Sequence, residues 1–305
     1  MSKRNLEQDQ TRLFKRSIFW LMILLAIVGL TYSYEKNLFQ DRWEAITAST
    51  ATKELPIYRV KTDKPQVALS FDAAWGNEDT KKILETLKKY KINVTFFMTG
   101  GWVESYPDDV KAIYDAGHDL GNHSENHKHM PQLDSAGMCD ELNKVTEKVK
   151  KITGTTMCLF RPPYGDYDNN LIIQAKNCGY YTIQWNVDSL DWKNYGVDSI
   201  VNTVLNHKDL QNGSIILMHN GAKYTAEALP KVIEGLQAKG YEIVPISKLI
   251  YKDNFHMEHD GCQVSDKKQE SGTDSKETDT KVQNKDAAKE KKKNSPLVIS
   301  GDIVL

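Results

Sequence analysis

His123 and His127, four residues apart in His-Ser-Glu-Asn-His, can bring two imidazole nitrogens to one metal ion from a single turn or tight loop. Neutral nitrogen donors beside an open coordination position are what a water-activating divalent ion requires. On its own such a pair more often caps or packs, so its neighbours in the chain decide. Ser70-Phe71-Asp72 precedes it, and Arg161-Pro162-Pro163-Tyr164-Gly165, Asp188-Ser189-Leu190-Asp191-Trp192 and Leu217-Met218-His219 follow. Acids, bases and candidate ligands recurring in this way read as one active site.

Each residue has a role that its chemistry suits. Asp72 follows an apolar run, a costly place for a carboxylate unless it is paired or used, and suits a general base. Two prolines stiffen the backbone after Arg161, whose guanidinium can grip a carboxylate bidentately and so orient and ionise Asp72. The loop 162–165 can aim a backbone N–H, such as that of Tyr164, at a developing oxyanion. His219 ends the apolar run 215–218 and suits a general acid, with Asp188 bonding its second nitrogen and raising its pKa. Trp192 is core or one wall of a sugar pocket, and Trp75 and Trp102 are expected beside it as exposed aromatics. His118, placed before its strand, should point away from the site.

The elements that position these residues alternate. Apolar runs at 67–71, 93–98, 119–122, 158–161, 180–186, 214–218 and 241–245 read as seven strands. Between them, Ile83, Leu84 and Leu87 within 79–90, and Leu142, Val145, Val149 and Ile152 within 135–153, recur at helical spacing. Strand and helix in alternation, with mostly apolar strands, imply a parallel sheet covered by helices, and seven units favour curling into a distorted (β/α)7 barrel. Chemistry in such barrels gathers where strands end, and there Asp72, His123, Arg161, Asp188 and His219 all fall.

The 305 residues, 40% of them apolar, suffice for one substantial core. A formal net charge of −1, with no basic stripe, gives nucleic-acid binding no electrostatic support. Residues 18–34 read as a transmembrane signal anchor: Ile18 to Tyr32 is uncharged, Arg12, Lys15 and Arg16 precede it, and no small-residue cleavage site follows directly. Residues 1–17 are then cytoplasmic, 35–56 a stalk, 57–253 the extracytoplasmic folded domain, and 254–305 a disordered polar tail. Cys139, Cys158, Cys178 and Cys262 show no ligand or framework spacing, and each reads as an isolated small apolar side chain.

In this order the five blocks resemble the polysaccharide deacetylases of the NodB homology class, carbohydrate esterase family 4, over Ile57 to about Tyr251. The resemblance implies a divalent metal, usually zinc, held partly by His123 and His127. It implies Asp72 as base, His219 as acid, Arg161 holding Asp72, Asp188 tuning His219, and Trp192 with Leu217 lining an acetyl pocket. The family's usual Asp-His-His ligand set has a second aspartate after the catalytic one, and here Ala73 stands in that place, as in the sporulation-associated subfamily. The expectation is a membrane-anchored deacetylase of N-acetylglucosamine-containing glycan such as peptidoglycan. Its rival, motivated by Ala73, is a weak or inactive glycan-binding protein on the same fold.

Overall fold

The computed structural model describes residues 53–267 together with Gly29. The expected cytoplasmic segment 1–17, the anchor 18–34 apart from Gly29, most of the stalk and residues 268–305 lie outside the described residues. Among the described residues no helix is long and apolar enough to cross a membrane.

In chain order the elements are β1 (Arg59–Val60), β2 (Gln66–Ala73), α1 (Thr80–Tyr90), β3 (Thr95–Met98), α2 (Gly100–Ser105), α3 (Pro107–Asp115), β4 (Asp119–Asn122), α4 (Ser135–Thr153), β5 (Leu159–Phe160), α5 (Asn169–Asn177), β6 (Tyr181–Thr182), β7 (Val187–Asp188), α6 (Val197–Leu205), β8 (Ile215–Asn220), α7 (Thr225–Ala238), β9 (Glu242–Ile243), α8 (Ile246–Leu249), β10 (Phe255–Met257) and β11 (Cys262–Ser265). The helices read from spacing form at α1 and α4. Asp134 caps α4 by accepting from the Gly137 N–H at 2.7 Å, and Gly154, at φ 77°, ends it in the left-handed conformation that glycine adopts without cost.

Strand β2 is the keystone. Seven of its eight residues are buried, as a central parallel strand covered on both faces requires. Val67, Leu69, Phe71 and Ala73 belong to the layer shared with the helices, whereas Ala68 belongs to the inner cluster. The two-residue period of a strand therefore places Ser70 and Asp72 on the inner face.

Parallel neighbours follow the order β6-β5-β4-β3-β2-β8-β7. The two ends of this series, β6 and β7, follow one another in the chain without pairing among the described residues. The entering segment spans that seam. The Ile57 N–H donates to the Thr182 carbonyl, the Ile57 carbonyl accepts from the Gln184 N–H, both at 2.8 Å, and Val60 N–H reaches the Gly213 carbonyl at 2.9 Å. The result is the parallel α/β fold expected, a seven-strand ring with one seam bridged by the chain's own entry segment.

Three expectations change. The run 180–186 is not one strand: β6 ends at Thr182 and β7 begins at Val187. The run 241–245 reduces to β9, paired only with the foot of β2. The polar tail does not start at 254, because β10 and β11 form an antiparallel pair that β1 joins. Cys262 and Gln263 are buried there, and the Gln263 side chain donates to the Tyr251 carbonyl at 2.7 Å and accepts its N–H at 2.8 Å. Phe-His-Met and Cys-Gln-Val-Ser alternate apolar and polar residues, but over three and four positions, too few to announce a strand.

Candidate active site

Register brings the proposed base and acid together, since Asp72 on β2 pairs directly with His219 on β8. Arg161, fully buried just after β5, donates from Nη1 to Asp72 Oδ1 at 2.7 Å. Its Nη2 donates to Ser70 Oγ at 2.8 Å and to the Gln184 carbonyl at 3.3 Å, and the guanidinium lies 4.2 Å from the centre of the Phe97 ring. The grip on Asp72 is therefore single, not bidentate as expected, because Ser70 takes the second arm. Burial pushes Asp72 upward, but Arg161 foremost, with His123 and His219, holds it below the usual carboxylate range. It is ionised at neutral pH, as a base must be.

The histidine loop is strained and heavily restrained. Ser124 (φ 64°) and His127 (φ 51°) occupy the left-handed region, which costs roughly 1–2 kcal/mol per non-glycine residue. Asn122 Oδ1 accepts the Ser124 N–H at 2.9 Å, Ser124 Oγ accepts the His127 N–H at 3.0 Å, and Glu141 on α4 takes both the Asn126 N–H and Nδ2 at 2.8 Å. His123 Nδ1 lies 2.7 Å from the Arg161 carbonyl, which only accepts, so Nδ1 carries the proton and Nε2 keeps its lone pair, 3.7 Å from Asp72 Oδ2. Burial lowers the pKa of His123, and burial followed by His123 brings His127 down to about 4. Both rings are neutral, as ligands must be, and their centres lie 4.9 Å apart. His127 Nδ1 is buried without a partner among the described residues.

Two donors do not make a complete site. Ala73 is buried and brings no carboxylate, and Asp72 Oδ1 is engaged by Arg161. Among the described residues no group of three His, Cys, Asp or Glu side chains is placed to hold a metal ion. The residues present therefore do not fit the Asp-His-His set of the resembled family.

The partner of His219 is Asp191, not Asp188. Asp191 is fully buried; its Oδ1 lies 2.7 Å from His219 Nδ1, and its Oδ2 accepts the His219 N–H at 2.7 Å and the Thr225 hydroxyl at 2.6 Å. Leu190, at φ 53°, turns the chain back so that Asp191 reaches β8, while Asp188 Oδ1 is occupied by the Leu190 N–H at 2.8 Å. Burial lowers His219, but the hydrogen bond and charge of Asp191, with the charges of Asp72 and Asp188, raise it above the ordinary histidine value. Burial raises Asp188, which still lines the cleft beside Trp192.

These groups open into a cleft of about 720 Å³ whose lining includes Asp72, His123, His127, Asp188 and His219, with Tyr164, Trp192 and Leu217 as expected. Trp75, Tyr164 and Trp192 are 69%, 60% and 53% exposed, so aromatic surface stands open along the cleft. Trp102 does not join them: it is buried, and its Nε1 holds the Gly76 carbonyl at 2.7 Å, fixing the loop that carries Trp75. His118 lies away from the site, buried, with Nδ1 accepting the Val94 N–H at 3.2 Å. His129, a nearby competitor of the His123 and His127 pair in the sequence, stacks on Tyr164 at 4.2 Å.

Residues 59–183 match the polysaccharide deacetylase family. The peptidoglycan-N-acetylmuramic acid deacetylase PdaA of Bacillus subtilis is 33% identical over 66% of this chain and 77% of its own length. A peptidoglycan-N-acetylglucosamine deacetylase of Bacillus cereus is 33% identical over 61% of this chain and 69% of its own. The structure of BA3943, a family 4 carbohydrate esterase pseudoenzyme from Bacillus anthracis, superposes with a TM-score of 0.61 at 36% identity, covering 64% of this chain and 68% of that one. A mutant of BA3943 with restored enzymatic activity superposes equally well. The chain belongs to the polysaccharide deacetylase family, with the fold of the family 4 carbohydrate esterases.

Proposed function

We propose that this protein is a peptidoglycan deacetylase that removes acetyl groups from N-acetylated amino sugars, held at the outer face of the cell membrane by residues 18–34. One observation carries the reading: an ionised carboxylate and a histidine with a raised pKa stand on paired strands in one cleft, each held by a buried partner. Asp72 accepts the proton of an attacking water, the water oxygen bonds to the acetamide carbon, and His219 protonates the nitrogen as the C–N bond breaks. Acetate and a free amine result. Tyr164 lines the cleft, and its backbone N–H suits the developing oxyanion. Acetate release from N-acetylglucosamine oligomers and from peptidoglycan is the test, with Asp72→Ala and His219→Ala each lowering the rate by about 10²–10⁴-fold. No release from any glycan, with or without added zinc, overturns it.

Ala73 favours a second reading, in which the cleft binds glycan without turning it over. BA3943, described as a pseudoenzyme and regaining activity on mutation, supports its plausibility. Sedimentation with cell wall that survives Asp72→Ala but falls on Trp192→Ala, with no acetate released, selects this reading.

A further inference from the structure

Cys139 lies in the second turn of α4, and Cys178 caps the C-terminus of α5. Thirty-nine residues separate them in sequence, yet their Sγ atoms are 2.7 Å apart. That is closer than two non-bonded sulfurs rest, and well under an ångström beyond the roughly 2.05 Å of a disulfide bond. Both are partly exposed, so a soluble oxidant reaches them. Cys262 differs: it is buried, with its Sγ directed at the Gln263 carbonyl, and neither it nor Cys158 has a sulfur neighbour among the described residues.

The geometry points to a disulfide between Cys139 and Cys178, formed when the chain meets a disulfide oxidant such as an oxidised dithiol protein or oxidised glutathione. One thiolate of the pair attacks the oxidant's S–S bond, a mixed disulfide forms, and one oxidant thiolate leaves. The second cysteine thiolate then attacks the mixed disulfide and expels the other. Two cysteine thiols are oxidised, one external disulfide is reduced to two thiols, and the two cysteine protons pass to the departing sulfurs. Burial, then the neighbouring Cys139 thiol, pushes the Cys178 thiol up to about 11, so the closure accelerates at alkaline pH, where thiolate is available.

The bond would join the two helices that stand behind the chemistry. Cys139 is two residues from Glu141, which clamps the histidine loop through Asn126, and α5 follows directly on the Arg161–Gly165 loop. Closing a loop of this length stabilises the fold chiefly by restricting the unfolded chain. The inference stands on geometry alone and does not depend on the proposed activity.

The test uses the full chain incubated with oxidised glutathione at pH 8.5, followed by thiol titration, non-reducing peptide mapping and thermal melting. The expected results are two free thiols instead of four, one linked peptide pair containing Cys139 and Cys178, and a Tm about 8–12 °C higher than after reduction. Cys139→Ser and Cys178→Ser variants should each melt at a temperature indifferent to reductant. Four thiols remaining after oxidation, a linkage through Cys158 or Cys262, or a bond only between two molecules would each overturn it.

Discussion

His219 and Asp191 show how much a single hydrogen bond decides. A raised histidine pKa keeps the acid protonated to higher pH than an ordinary histidine, and Asp191 is the main cause of the rise, working against burial. Asp191→Asn should therefore lower kcat about 10²-fold and move the alkaline limb of the pH profile to lower pH, whereas Asp188→Asn should change kcat less than about 10-fold. An alkaline limb that stays in place in Asp191→Asn would show that another group sets it. Linkage adds a stability signature. Because the folded value lies above 6.5, this pair's contribution is full below pH 6.5 and is lost as pH rises through the folded value. Asp72 behaves oppositely: its folded value lies below 3.8, so its contribution holds above 3.8 and is lost as pH falls through the folded value. In the sequence both aspartates of Asp188-Ser189-Leu190-Asp191 are eligible partners. The choice rests on the left-handed turn at Leu190, which has no signature in a leucine.

At the level of elements, the strands deliver the site because apolar runs ending in a polar residue are legible, and Asp72, His123, Arg161 and His219 all met where those runs end. Trp102 was not legible, since an indole serves equally well as exposed platform or buried prop; its Nε1 bond to Gly76 makes it the latter. Gly121 on β4 is another silent requirement: a Cβ there would sit 2.4 Å from Phe97 Cδ1. Phe97 in turn lies under the Arg161 guanidinium. Gly121→Ala should destabilise by about 1–3 kcal/mol, lowering Tm by about 2–12 °C, and should reduce activity more than the Tm loss explains. Unchanged melting and unchanged acetate release together would show that Phe97 moves aside freely.

For the whole molecule, the described domain runs past the point where composition turns polar. A chain ending at residue 253 loses β10 and β11, the latter the partner of β1, and leaves the Tyr251 backbone groups unpaired; it should melt at least about 10 °C lower or fail to stay soluble, whereas an end at residue 267 should melt within about 2 °C of the full chain. Ala73→Asp probes the missing ligand. A carboxylate at this buried position should cost several kcal/mol without metal, and added zinc should then restore more stability than it gives the unaltered chain, read by melting with metal analysis. An equal zinc response in both chains would mean that a carboxylate at position 73, in the layer shared with the helices, does not reach the histidines. The register of β2 and β8 has one last consequence. Asp72 and His219 are opposed by main-chain pairing, about 4.8 Å from strand to strand, so their spacing does not rest on any loop, and a slip of one residue would turn one of them to the other face. Changes among the ligands and loop residues around this pair therefore leave its spacing in place.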